Sequence, residues 1–177
     1  MNTFILSQIF GLLGALSMLL SNWQKTRSKV LTFLLFDCFF YFIQYILLGA
    51  ISGAFTNIVG LLRTIIFKYK DRYKILKSNI ILLVILIIYL LIGVFTYNGT
   101  ASIFPVVASI LYSVVLWLDD VRKIRVGTAL MILSWFLYNL TVEAYLSAIV
   151  EGILFMSSFI AIVKLDVLKN KNIVQIN

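Results

Sequence analysis

Histidine is missing from this chain of 177 residues. Its absence removes the commonest general base and the commonest metal ligand together. A single cysteine, Cys38, sits inside an apolar run, so neither a disulfide framework nor a thiolate metal site can be built. Charge is scarce too: only 12% of residues are Asp, Glu, Lys or Arg, which is too little for the surface of a soluble domain. There is no phosphate-binding glycine loop and no pair of carboxylates at a common depth. An enzyme, a metal site and a cofactor are therefore not expected.

What remains is apolar. Hydrophobic residues make up 62% of the chain and the mean hydropathy is +1.06, values that exclude soluble and disordered classes and predict an all-α integral membrane protein. Seven spans are expected: Thr3 to Ser21, Val30 to Ala50, Gly53 to Tyr69, Asn79 to Tyr97, Ala101 to Leu118, Val126 to Val142 and Ala144 to Lys164. The N-terminal segment lacks the basic start of a secretory signal and reads as a retained first helix. The fourth span is nearly all Ile, Leu and Val, and reads as a lipid-facing spacer.

The net charge of +8 is spread over short loops rather than gathered on one soluble face, so the partner it implies is a lipid bilayer and not nucleic acid. Assigning loops alternately to two sides puts Lys25, Arg27, Lys29, Lys68, Lys70, Arg72, Lys74, Lys77, Arg122, Lys123 and Arg125 on one side. The tail with Lys169 and Lys171 joins them. The loops around Ser52, Gly99 and Glu143 carry no basic residue. The N-terminus is expected outside and the C-terminus in the cytoplasm.

Sliding the chain by 94 residues lays the first three spans on the last three. Ile9 and Phe10 then meet Ile103 and Phe104, Trp23 meets Trp117, Lys29 meets Lys123, Phe42 meets Phe136, and Ala50 and Ala54 meet Ala144 and Ala148. This predicts two parallel three-helix bundles, residues 1–69 and 101–165, joined by a basic loop and linker helix at 70–100 and followed by a tail at 166–177.

Several polar side chains fall inside these spans, where a charge at the bilayer centre costs roughly 2.5 to 3.5 kcal/mol. Asp37 and Arg63 are expected at matching depth, roughly 10 Å from the cytoplasmic ends of adjacent helices, and to form an ion pair. Such a pair either fixes packing or acts as a gate. The 94-residue shift lays Asn57 on Glu151, one polar group per bundle at one depth, where a repeat-built transporter holds its solute. It also lays Tyr41 on Trp135 and Gln44 on Tyr138. Along the sixth span, Thr128, Met131, Ser134, Trp135, Tyr138 and Asn139 recur at helical spacing, a stripe suited to packing or to contact with a ligand. Tyr41 and Trp135, facing one another, would form a slot. In the first span Ser7, Gly11, Gly14 and Ser21 permit close helix contact. The only proline, Pro105, is expected to kink the fifth span as a hinge.

The stretches YILLGAISGAFTNIVGLLR (Tyr45 to Arg63), WLDDVRKIR (Trp117 to Arg125) and SWFLYNL (Ser134 to Leu140) give the chain a resemblance to the YgjV family of bacterial inner-membrane proteins. That resemblance implies a multi-pass protein of the bacterial inner (plasma) membrane. The helix plan is similar to that of SWEET sugar transporters and PnuC vitamin transporters, which implies a small-solute facilitator. The Pro-Gln pair of PQ-loop proteins is missing, as is the Trp-rich motif of the PnuC kind, and neither ligand carries over. Two readings follow. One is a transporter of a small polar neutral or cationic solute, lined by Asn57, Glu151, Trp135, Tyr138, Gln44, Tyr41 and Asn139. The other is a membrane scaffold or assembly protein whose polar groups only lock helices together. Self-association is left open by both.

Overall fold

The computed structural model describes residues 2–22, 27–117 and 121–163. Trp23, Lys25, Asp119, Asp120, Lys169, Lys171 and the expected 166–177 tail lie outside the described residues. The side chains of Arg27, Arg122, Lys123 and Arg125 do as well. Within the described residues there are seven α-helices and no strand: α1 (Thr3–Asn22), α2 (Arg27–Leu47), α3 (Ile51–Tyr69), α4 (Asn79–Phe95), α5 (Ile103–Trp117), α6 (Val121–Thr141) and α7 (Tyr145–Ile162). Stretches long and apolar enough to cross a membrane occur in four places, Thr3–Ser21, Ser28–Leu47, Ile51–Tyr69 and Thr100–Trp117. The apolar runs Asn79–Phe95, Val126–Thr141 and Tyr145–Met156 are shorter.

Polarity in this molecule is inside out. Gln44, Asn139, Thr64 and Ser113 are fully buried, while Leu62, Leu90, Ile149 and Ile153 are each more than half exposed. Water would reverse that distribution, and only a hydrocarbon surrounding stabilises it. The same inversion explains why the polar residues inside the apolar runs face partner helices.

Helices α1 and α3 pack on α2, and α5 and α7 pack on α6. In addition α1 meets α7, α3 meets α5, and α4 lies against α3 and α5. The fourth helix is less of a spacer than its composition suggests. Ile85 and Tyr89 are buried, and the Tyr89 ring is completely enclosed.

Two turns repeat one geometry. After α2, Gly49 adopts φ +68°, the Gly49 N–H donates to the Ile46 carbonyl at 3.1 Å, and the Ala50 N–H donates to the Tyr45 carbonyl at 2.8 Å. Those two bonds cap the exposed carbonyls of the last turn, and the left-handed residue that makes them possible is commonly glycine. After α6, Glu143 takes φ +59° and the Ala144 N–H donates to the Asn139 carbonyl at 2.9 Å. The following residues also agree, with φ −84° and ψ 73° at Ala50 against φ −82° and ψ 60° at Ala144. This capping ends α2 at Leu47, short of the expected Ala50. At the other end α6 begins at Val121, five residues ahead of the expected start, because nothing between Val121 and Val126 breaks a helix.

Pro105 lies where it does least harm. It falls in the first turn of α5, just after a 3-10 turn at Thr100–Ser102, and the N–H it lacks would have had no partner inside α5. Pro105 therefore frees no carbonyl in the middle of α5, where the expected hinge would need one.

Candidate functional site

At the centre of the helices is a cavity that offers about 50 Å³ to the centres of water-sized molecules, and every helix contributes to its wall. Asp37, Cys38, Tyr41 and Tyr45 come from α2, Thr56, Asn57, Gly60 and Arg63 from α3, and Trp135 and Glu151 from α6 and α7. Tyr89, Ser109 and Tyr112 enter from α4 and α5. The α3 residues recur at three- and four-residue steps, so one face of that helix supplies all of them.

Asn57 and Glu151, paired by the 94-residue shift, both line this space and both are buried. Asn57 Nδ2 donates to the Gly53 carbonyl at 2.9 Å, one turn back on its own helix. Glu151 accepts from Asn139 Nδ2 at 2.9 Å. Asn139 in turn accepts from the Tyr45 hydroxyl at 2.7 Å. A chain of hydrogen bonds thus runs from α2 through α6 to α7.

The expected slot between Tyr41 and Trp135 is filled. Tyr45 stacks on Tyr41 with ring centroids 5.9 Å apart and an interplanar angle of 14°, and on Trp135 at 5.7 Å and 11°. Tyr138 meets Tyr45 edge-on at 5.4 Å. Tyr45 was missed because, one turn after Tyr41 in an apolar stretch, it read as packing. Its four-residue spacing from Tyr41 was the available signal.

The expected ion pair is not formed either. Asp37 and Arg63 share the cavity wall, but among the described residues no Asp37–Arg63 contact falls within salt-bridge distance. Arg63 turns instead to α5, where Nη1 donates to Ser113 Oγ at 3.2 Å and to the Ser109 carbonyl at 3.5 Å, and its guanidinium sits 5.0 Å from the Tyr112 ring centroid. Equal depth on adjacent helices is not enough to make a pair. Its Nη1 and aromatic contacts on α5 give the guanidinium partners other than Asp37, although Nε is left without one.

Gln44 and Tyr138 stand outside the cavity wall. They hold the helices together at the turn end: the Gly53 N–H donates to the Tyr138 hydroxyl at 3.0 Å, and Ser147 Oγ donates to Gln44 Oε1 at 3.0 Å. Gln8 adds a third tie, with Nε2 donating to the Glu143 carbonyl at 3.0 Å and Oε1 accepting from the Leu146 N–H at 3.3 Å. The small residues of α1 serve this packing. A side chain at Gly11 would run into Gln44 and Ser147, and a Cβ at Gly14 would come within 3.0 Å of the Tyr41 ring. Of the sixth-helix stripe, Met131 lines the cavity, whereas Ser134 bonds the Leu130 carbonyl of its own helix at 3.0 Å. Among the described residues no cluster of His, Cys, Asp or Glu is suited to a metal ion.

A family model described as a bacterial inner membrane protein, Imp-YgjV, matches residues 5–169. No curated protein and no solved structure matches the chain.

Proposed function

The chain belongs to the Imp-YgjV family of bacterial inner membrane proteins, and from that premise we propose that it carries a small polar solute, neutral or cationic, across the membrane by alternating access. Two bundles, residues 1–69 and 101–165, rock about the central cavity, with 70–100 as the link between them. The N-terminus lies outside, and the basic loops and the C-terminal tail lie in the cytoplasm.

The observation that carries this reading is the cavity itself, a buried space reached by all seven helices and walled by Asp37, Asn57, Arg63 and Glu151. Two carboxyl groups against one guanidinium favour a neutral or cationic occupant over an anion. Support for the paired bundles comes from the interhelical bonds. Gly53 to Tyr138 becomes Ser147 to Gln44 when each residue is shifted by 94, and Tyr45 to Asn139 maps onto itself. The two left-handed residues, Gly49 and Glu143, obey the same shift. A repeat about an axis along the membrane normal would produce this pattern, and repeats of this kind place solute sites at their interface.

Uptake of a panel of small polar metabolites into proteoliposomes tests the reading. Glu151→Gln and Asn57→Ala are expected to slow uptake at least about tenfold if they line the site. Unchanged uptake in both would remove the cavity from the transport path.

A scaffold role has one observation in its favour: the Tyr41–Tyr45–Trp135 stack and the Tyr45–Asn139–Glu151 chain are complete without any added molecule. That reading requires that no small solute stabilise the protein.

A further inference from the structure

Three buried polar atoms at the inner part of the cavity make no hydrogen bond: Asp37 Oδ1, Arg63 Nε and the Tyr89 hydroxyl. All three residues line the cavity, and they are 8%, 3% and 0% exposed. One atom only accepts, one only donates, and the hydroxyl does either. A bare cation here would meet Asp37 but face Arg63, and a carboxylate would meet Arg63 but face Asp37. A neutral hydroxyl or carboxamide donates and accepts at once, and satisfies the whole set.

Chemistry at the other end is different. Glu151 gives one oxygen to Asn139, while its second oxygen has no hydrogen bond among the described residues, and no basic side chain pairs with it there. Asn57 lines the same cavity, with its amide nitrogen held by the Gly53 carbonyl. The complement of this end is a cation with N–H donors.

We propose that the cavity binds a compact primary amine that also carries a neutral hydrogen-bonding group, such as an amino alcohol or amino amide. Its ammonium lies at Glu151 and Asn57, and its neutral group lies among Asp37, Arg63 and Tyr89. This rests on the solute site proposed above and names the class that the site takes. The space of about 50 Å³ keeps the molecule to a few heavy atoms, and the filled stack of Tyr41, Tyr45 and Trp135 leaves no gap for a ring.

Thermal unfolding of the full-length protein in nanodiscs, titrated with four probes, tests this. Ethanolamine carries both groups, ethylammonium the amine alone, ethylene glycol the neutral group alone, and glycine a carboxylate in place of the hydroxyl. Ethanolamine is expected to give a saturable rise in Tm of about 3 °C. Half-saturation by ethylammonium should need about ten times more, and the diol and glycine should give no shift. Glu151→Gln, which keeps an acceptor for Asn139, should raise the ethanolamine half-saturation about tenfold, and Tyr89→Phe should narrow the gap between ethanolamine and ethylammonium. The proposal is overturned by no ethanolamine shift, by a glycine shift of equal size, by equal responses to the two amines, or by an unchanged response in both variants. Labelled ethanolamine uptake separates the two readings: binding without uptake sinks transport and spares the ligand class, and uptake of another solute without amine binding does the reverse.

Discussion

Tyr45 donates its hydroxyl to the side-chain oxygen of Asn139 at 2.7 Å, joining two positions that lie 94 residues apart in the chain. The bond sits at the junction of the aromatic stack and the Glu151 carboxyl, since Asn139 also donates to Glu151 at 2.9 Å. Truncating either partner therefore disturbs different numbers of groups.

Tyr45→Phe removes one interhelical bond while keeping the stacked ring, and should cost about 0.6 to 1.5 kcal/mol. Asn139→Ala leaves both Tyr45 and Glu151 short of a partner, and should cost about 2 kcal/mol or more. Reversible unfolding in detergent measures both. Equal losses would mean that Asn139 does not bridge the two.

The paired turns allow a comparison within one molecule. Gly49→Ala forces a Cβ into the left-handed region and should destabilise by about 1 kcal/mol. Glu143→Gly relieves that same strain and should be neutral or slightly stabilising, because the contact Glu143 makes to Gln8 is through its backbone carbonyl. The difference between the two substitutions, measured by the same unfolding experiment, should have opposite contributions from the two sites.

Gly11 tests the closeness of α1 to the second and seventh helices. Gly11→Ala should displace Gln44 or Ser147, break their bond, and cost about 1 to 3 kcal/mol. Gly99→Ala offers the contrast, since open space surrounds that residue and only its φ of +92° resists the change. A harmless Gly11→Ala would show that α1 stands further off.

Arg63 should not be replaceable by lysine. Its Nη1 bonds both Ser113 Oγ and the Ser109 carbonyl while Cζ sits 5.0 Å from the Tyr112 ring centroid, and the shorter lysine stem does not place one ammonium at all three. Arg63→Lys is expected to lower stability by about 1 to 2 kcal/mol, while Asp37→Asn, at an atom with no hydrogen bond, should cost less. The reverse order would restore the direct ion pair as the main restraint.

The helices could be located from the sequence because hydrocarbon imposes a simple rule on composition, and six of the seven helices start within three residues of the expected position. Asn57 and Glu151, which the 94-residue shift pairs, both line the cavity. What could not be read was rotamer and reach. Arg63 has a side chain long enough to choose between Asp37 on one neighbour and Ser113 on another, and only the packed structure fixes the choice. Tyr45 closed the slot between Tyr41 and Trp135 for a related reason, since an apolar stretch hides which of its aromatic rings points inward. Tyr89 was overlooked because a lone tyrosine in a run of isoleucine and leucine carries no periodic signal.

The ties made by Gln8 bear on how the protein is made. Both ends of its amide are bonded at the α6–α7 junction, to Glu143 and Leu146, which a ribosome reaches more than a hundred residues after Gln8 itself. Helix α1 is thus tied to a junction made more than a hundred residues later. Until that junction is made the nascent chain holds the Gln8 amide without these two partners, and a product truncated before the α6–α7 turn would keep it so, an opening for membrane proteases.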